Sequence, residues 1–278
     1  MKLFVTGGSG YLGAAILKRA PTDWHIAATY VTHPIEQRNV AAFCLDVRDA
    51  DAVTRALEQT RPAVIIHTAA QMTGDALIAV NADGTRNVAR AAQQIGAQLI
   101  HLSSDVIFDG EHAPYDETAE PRPLIPYAIS KARAEEIVRA EFSNARIVRT
   151  SLIYGFDPMD PRTRQVLNGE MPRLFTDEYR CPIFVDDLAD ALIELAEISE
   201  ISKISEISIL NLAGAQRLSR YDFGVKLARA FNTIIKFQPA LSASHPTPRP
   251  RDCALDIARA QKILRTRLRG VDEVLAQN

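Results

Sequence analysis

The stretch that most constrains this chain is Thr6-Gly7-Gly8-Ser9-Gly10-Tyr11-Leu12-Gly13, close to its start. Before it stands Lys2-Leu3-Phe4-Val5, a short apolar run of the kind that becomes a buried strand. After it stand Ala14-Ala15-Ile16-Leu17, residues that favour a helix. Strand, glycine turn and helix in that order make a phosphate cradle. Glycine lets the backbone approach a pyrophosphate, and the helix start offers unpaired N–H groups and the positive end of its dipole. Two registers fit, Gly8-x-Gly10-x-x-Gly13 and Gly7-x-x-Gly10-x-x-Gly13, sharing Gly10 and Gly13. Its place at the head of an alternating chain favours a dinucleotide site over an empty turn.

The alternation is regular. Strands are expected over residues 26–30, 41–45, 63–67, 98–103 and 146–149, with helices over 49–60, 76–95 and 127–142. Such spacing makes a parallel, doubly wound sheet with helices on both faces. The pattern loosens over 155–180, where Pro158, Pro161 and Pro172 predict loop and short helix. Asp186 and Asp187 suit the start of a helix running to Glu197. An Ile-Ser triplet repeat over 198–208 fits neither helix nor strand and reads as a frayed extension. A strand over 209–212, a helix over 219–231 capped by Ser219, and a helix over 255–264 close the chain. Proline-rich stretches at 114–126 and 239–250 predict long loops, which in compact proteins tend to carry function. The expected division is a Rossmann domain over 1–154 and a smaller substrate-binding lobe over 155–278. The two are interwoven, because the helix near 186–197 and the strand near 209–212 return to the Rossmann core.

With 278 residues and a net charge of −2, nothing suggests nucleic acid or an anionic membrane as partner. The run Leu3–Val5 is too short for a signal peptide, and no stretch is long enough to span a bilayer. Cys44, Cys181 and Cys253 are scattered and lack metal or redox spacing, which predicts reduced thiols in the cytoplasm. Asp186 and Asp187 are better explained as helix-start residues than as metal ligands, and His67 and His101 as core residues.

In a parallel sheet, ligands bind beyond the carboxyl ends of the strands. Those ends carry Gly7–Gly13, Tyr30–His33, Asp46, Thr68-Ala69-Ala70, Ser103-Ser104-Asp105 and Thr150-Ser151. Tyr127-Ala-Ile-Ser-Lys131 is the sharpest constellation, since residues four apart share a helix face. A phenol titrates near 10, and a neighbouring cation brings it into usable range for proton transfer. A hydroxyl at Ser104 would hydrogen-bond a substrate carbonyl while Tyr127 transfers the proton. Together with the glycine turn, that set specifies hydride transfer.

Taken together, the glycine turn, Asp46, His67–Ala70, Asn81-x-x-Gly84-Thr85-x-Asn87 and Tyr127-x-x-x-Lys131 resemble the extended short-chain dehydrogenase/reductases. Leu102–Gly110, Arg149–Gly155 and Arg249-Pro250 followed by Leu255-Asp256 are most similar to the dTDP-4-dehydrorhamnose reductase branch. The resemblance implies that Ser104 orients the substrate oxygen and Tyr127 is the general acid. Lys131 would hold the nicotinamide ribose, and Asn81 would be structural. It places the cofactor against Thr6, Gly7, Gly10, Tyr11, Leu12, Gly13, Tyr30, Thr32, His33, Asp46, Val47, Thr68, Ala69, Ala70, Tyr127 and Lys131, with Asp46 accepting from the adenine amino group. Substrate contacts would come from Ser104, Asp105, Val106, Leu152 and Arg249. Two departures touch the sugar: the branch carries an aromatic residue at Val106 and a tryptophan at Leu152. The segment after Ala70 is also shorter than usual.

No acidic residue ends the second strand, and Thr32, His33 and Arg38 could accept a phosphate, so NADP(H) is preferred to NAD(H). Glu36 is the residue that could reverse this. Arg249 and Arg251 suit the diphosphate of a nucleotide sugar. The predicted function is NAD(P)H-dependent reduction of a nucleotide-activated keto sugar or similar small carbonyl. Two alternatives come from the same resemblance: a non-catalytic NADP-binding regulatory subunit like the methionine adenosyltransferase beta subunit, and a nucleotide-sugar epimerase. A homodimer through the 127–142 helix is the family-level expectation.

Overall fold

The computed structural model describes residues 1–142, 145–198 and 208–277. Seven strands form one sheet: β1 (Lys2–Thr6), β2 (His25–Tyr30), β3 (Val40–Cys44), β4 (Val64–His67), β5 (Gln98–Ser104), β6 (Arg146–Thr150) and β7 (Ile209–Leu212). Their order across the sheet is β7-β6-β5-β4-β1-β2-β3. β1 pairs in parallel with both β2 and β4, in register Phe4 with Ala27 and Phe4 with Ile65. The chain order reverses at β1, so the crevice beside it is the switch point where open α/β sheets bind ligands.

Between the strands run α1 (Tyr11–Arg19), α2 (Ala50–Thr60), α3 (Gly84–Ile95) and α4 (Pro126–Glu141). Later come α5 (Pro161–Asn168), α6 (Val185–Ile198) and α7 (Arg220–Ala230). Local sequence accounts for their ends. Asp49 caps α2 by accepting from the Ala52 N–H at 2.9 Å, and Ser219 caps α7 by accepting from Asp222 N–H at 3.0 Å. Strand β4 is buried at every position, as a strand covered on both faces must be.

The chain divides into two compact units, one comprising Met1–Ser103, Pro126–Val148 and Ala189–Leu210, the other Ser104–Ile125, Arg149–Leu188 and Asn211–Asn278. The first holds a core that includes Phe4, Leu57, Ile65, Val88 and Leu99. The second holds a core around Tyr154, Leu218, Phe223, Leu227 and Val271. Each buries aliphatic and aromatic side chains of roughly 1.5–3 kcal/mol apiece.

Four sequence expectations change. The helix expected from Leu255 begins only at Ala258, because Leu255 bridges to Tyr115 as β structure and the Asp256 carboxylate then accepts from Ala258 N–H at 2.8 Å. The second proline-rich stretch opens as strand, Gln238–Ala240 pairing with Arg173–Phe175. A π-helical turn, Ala79–Asp83, interrupts the helix expected over 76–95. The Asp187 carboxylate holds Arg269, with contacts of 3.0 and 2.5 Å, instead of serving only the helix start. Of the triplet repeat over 198–208, residues 199–207 lie outside the described residues.

Candidate active site

The glycine turn is shaped mostly from within. Gly7 sits at φ +68°, and a Cβ there would lie 2.9 Å from the Ala69 backbone. A Cβ on Gly13 would stand 2.2 Å from the Gly7 carbonyl oxygen, and one on Gly8 2.7 Å from Ala28. Gly10 is different: only the Gly7 oxygen comes within 4 Å of a Cβ there, at 3.1 Å. It is the N-cap of α1 and offers no side-chain cap, so the first N–H groups of that helix are left for a ligand.

Above this turn lies a cavity of about 480 Å³. The expected cofactor residues Gly7, Gly10, Tyr30, Thr32, His33, Asp46, Val47, Thr68, Ala69 and Ala70 all line it. Thr6, Tyr11, Leu12, Gly13, Tyr127 and Lys131 do not; Thr6, Leu12 and Gly13 are buried beneath the turn. Five wall residues escaped the sequence reading: Thr29, Leu45, Arg48, Gln71 and Val80. Arg48 was legible in principle from its spacing to Asp46. It grips both oxygens of that carboxylate, Oδ2 at 2.6 Å and Oδ1 at 3.1 Å, and these hydrogen bonds hold the carboxyl below its usual range. The Asp46 carboxylate, expected to face an adenine amino group, is therefore already engaged by a guanidinium. An open, glycine-floored cavity with uncapped helix N–H groups fits the phosphates and adenosine of a dinucleotide.

Beside the cavity, His67 ties three elements together. Thr85 gives its hydroxyl proton to the Asn81 carbonyl at 2.6 Å, so toward His67 Nε2, 2.9 Å away, it accepts. His67 is then protonated on Nε2, and its Nδ1 accepts from the Thr6 hydroxyl at 2.6 Å. Burial, and secondarily the charge of Lys131, lowers this imidazole to about 3, so it is neutral. His101 packs against it, ring centroids 5.4 Å apart, fully buried as expected of a core residue. Asn81, in the π-helical turn, holds Gln71 through its N–H and carbonyl at 2.7 and 2.8 Å and donates to Ser130 at 2.8 Å. That is a structural post.

Tyr127 and Lys131 lie one turn apart on α4, Tyr127 half-buried and Lys131 only 3% exposed. Burial lowers the Lys131 amine to about 8, against a smaller opposing pull from Glu135. The Lys131 charge is also felt at His67 and His101, helping to lower both imidazoles.

The remaining expected residues belong to the second unit. Ser104 opens the short turn Asp105–Ile107 and donates to Asp105 at 3.3 Å. Asp105 is 2% exposed and accepts from Ser151 at 2.6 Å. Burial raises its carboxyl above the ordinary value, against the pull of Arg180 and Ser151. It is thus an internal group, bonded to Ser104 and Ser151. Leu152 packs into the Tyr154 cluster, while Val106 is half-buried. Arg251 pairs with Glu111 at 2.9 Å, and Arg249 pairs with Glu178 at 2.6 and 2.9 Å. No group of three or more His, Cys, Asp or Glu able to hold a metal occurs among the described residues. No helix among them is long and apolar enough to cross a membrane.

The glycine-floored cavity at the switch point and the family match place the chain in a class. It is the NAD(P)-dependent oxidoreductases of the extended short-chain dehydrogenase/reductase type. Residues 1–277 match the RmlD substrate binding domain, and the chain belongs to that family. It is 29% identical to dTDP-4-dehydrorhamnose reductase of Mycobacterium tuberculosis, over 90% of this chain and 82% of the relative. It is 28% identical to methionine adenosyltransferase 2 subunit beta of Xenopus laevis, over 94% and 82%. Among solved structures, a hypothetical dTDP-4-dehydrorhamnose reductase from Sulfolobus tokodaii matches with TM-score 0.84 at 28% identity, covering 99% of each chain. The Bacillus anthracis dTDP-4-dehydrorhamnose reductase in complex with NADP shares the fold at TM-score 0.83 and 23% identity, covering 99% and 97%.

Proposed function

We propose that this chain uses NADPH to reduce the carbonyl of a nucleotide-activated keto sugar. The observation that carries the reading is the buried amine of Lys131, lowered to about 8 one helical turn after Tyr127. When bound, the nicotinamide supplies a hydride to the carbonyl carbon. The Tyr127 phenol gives its proton to the carbonyl oxygen, which becomes the alcohol. The Lys131 ammonium favours the phenolate left behind, bringing a group that titrates near 10 into range at neutral pH. Ser104 donates to the same oxygen and orients it.

NADP(H) over NAD(H) follows from the wall of the cavity, where Thr32, His33 and the Arg48 guanidinium stand and the end of β2 carries no acid. The same reading puts the protein in the cytoplasm, where its three free cysteines stay reduced, and makes α4 the homodimer contact.

Tyr127→Phe tests it. NADPH binding should stay near wild type while turnover on keto-sugar nucleotides falls about a hundredfold or more. Unchanged turnover removes the mechanism. A second reading, a cofactor-binding regulatory subunit, draws support from one feature: the arginine expected to meet the substrate diphosphate, Arg249, is held by Glu178. Tight NADPH binding without turnover on any keto-sugar nucleotide, combined with stimulation of an adenosyltransferase catalytic subunit, would favour it.

A further inference from the structure

Within the second unit, the buried carboxylate of Asp105 sits between two serine hydroxyls. Ser104 donates to its Oδ1 at 3.3 Å, and Ser151 donates to its Oδ2 at 2.6 Å. Ser151 is fixed in that role, because its oxygen accepts from the Cys181 N–H at 3.2 Å. Arg180 Nε lies 3.8 Å from the same Oδ2, so this oxygen is the one that faces donors. Ser104 is held more loosely. Its bond to Asp105 is long, and so is the 3.5 Å bond it accepts from Val106 N–H.

The reductase reading asks Ser104 to give its proton to the substrate oxygen, yet in the structure that proton is spent on Asp105. A hydroxyl has one proton to donate, so the two uses exclude each other. A proton on Oδ1 of Asp105 resolves the conflict: the acid then donates to Ser104 Oγ, and the serine proton is released. Burial favours that neutral form, raising the carboxyl above its ordinary 3.8 against the pull of Arg180, Ser151 and Ser104. Arg180 is a divided counter-charge, since Glu178 lies 3.2 Å from it and the Tyr179 and Pro250 carbonyls accept from it at 2.6 and 3.2 Å. Two thiols stand nearby, Cys181 beside Ser151 and Cys253 with Sγ 3.9 Å from the Phe108 carbonyl; burial pushes both up, Cys181 to about 11, so both are neutral. The Asp252 carboxylate next to Cys253 is held by Arg217 at 2.7 Å.

Resting on the reductase reading above, we propose that Asp105 is a positioning residue that decides where the Ser104 hydroxyl sends its proton. As a carboxylate it draws that proton to itself. As a carboxylic acid it gives Ser104 a hydrogen bond and frees the serine proton for the substrate oxygen. Asp105 acts through Ser104 and takes no part in the bonds that form and break: the hydride still comes from the nicotinamide and the alcohol proton from Tyr127. An amide at this position has one favoured orientation, oxygen toward Ser151 and Arg180 and nitrogen toward Ser104. It therefore reproduces the second state at every pH.

The test is the pH profile of kcat on keto-sugar nucleotides at saturating NADPH. Wild-type turnover should rise roughly tenfold or more as pH falls through the Asp105 titration, which is what one donor at the reacting oxygen is worth. Asp105→Asn should hold the upper level and lack that rise. Tyr127 is present in both chains, so its own titration is common to both curves. Ser151→Ala removes a donor to the charged form and should move the rise about one pH unit upward, which keeps the test valid if Asp105→Asn does not fold. In a Ser104→Ala chain, Asp105→Asn should change nothing further. A profile unaltered by Asp105→Asn, or an equal loss from it with and without Ser104, overturns the assignment and leaves the reductase reading standing. Infrared titration of the Asp105 carboxyl band, identified by its loss in Asp105→Asn, needs no turnover; its midpoint should rise in Ser104→Ala. An unmoved midpoint overturns the assignment. A risen midpoint in a chain that reduces no keto-sugar nucleotide keeps Asp105 in control of the Ser104 proton and removes the reductase.

Discussion

Thr6 donates its hydroxyl proton to Nδ1 of His67 at 2.6 Å, joining β1 to β4 at the residue before the glycine turn. Both groups are buried, so the bond has no water to replace it. Thr6→Val keeps the shape and removes the donor, leaving a buried imidazole nitrogen unsatisfied. The expected cost is about 1–3 kcal/mol in urea unfolding. A change within about 0.5 kcal/mol would mean that the pair is not a structural clasp.

Gly13 and Gly10 should respond differently to alanine. At Gly13 the new methyl would meet the Gly7 carbonyl at 2.2 Å, so the turn must open; the expected loss is roughly 1–3 kcal/mol of stability, with cofactor affinity falling alongside it. At Gly10 the nearest atom is 3.1 Å away and the space above belongs to the cavity. Gly10→Ala should melt close to wild type while its NADPH dissociation constant rises about tenfold. Equal thermal shifts in the two variants would contradict this division.

Lys131 makes stability depend on pH in a stated direction. Its amine titrates at about 8 in the native chain and at the ordinary 10.5 when unfolded. Between those values the unfolded chain binds a proton that the native chain has released, so stability rises with pH across the window. Below pH 8 the native protein carries the cost of a buried charge. Lys131→Met lacks it, so this variant's stability advantage over wild type should be largest near pH 7. The advantage should shrink by up to about 3 kcal/mol toward pH 10.5. Urea midpoints of the two proteins over that range check it, and parallel curves would refute it.

Arg48 should set the choice of dinucleotide. It is the guanidinium in the cavity wall, positioned by Asp46. Arg48→Gln should weaken NADPH roughly tenfold while leaving NADH within a few-fold, since a single charged contact to a phosphate is worth somewhat over 1 kcal/mol. Competition binding with both cofactors reads the ratio directly.

Much of this was legible because the information is local. The strand–turn–helix at Thr6–Gly13 and the caps at Asp49 and Ser219 depend on neighbours in sequence, and all three appear as the residues predict. Leu255 was misread as helix because its partner, Tyr115, is far away in the chain, and no periodicity records such a bridge. The Arg249 pairing with Glu178, 71 positions earlier, is likewise invisible in the local sequence.

The first unit is assembled from three separated lengths of chain, and its sheet takes its outermost strand from Ile209–Leu212. On the ribosome, the strands that frame the cofactor cavity emerge long before the one that completes their sheet. A nascent chain ending near residue 154 would expose the backbone donors and acceptors of β6 as an open edge, inviting pairing with another copy. The order of synthesis thus leaves this protein most vulnerable to aggregation midway through its translation, and an excised amino-terminal half inherits the same weakness.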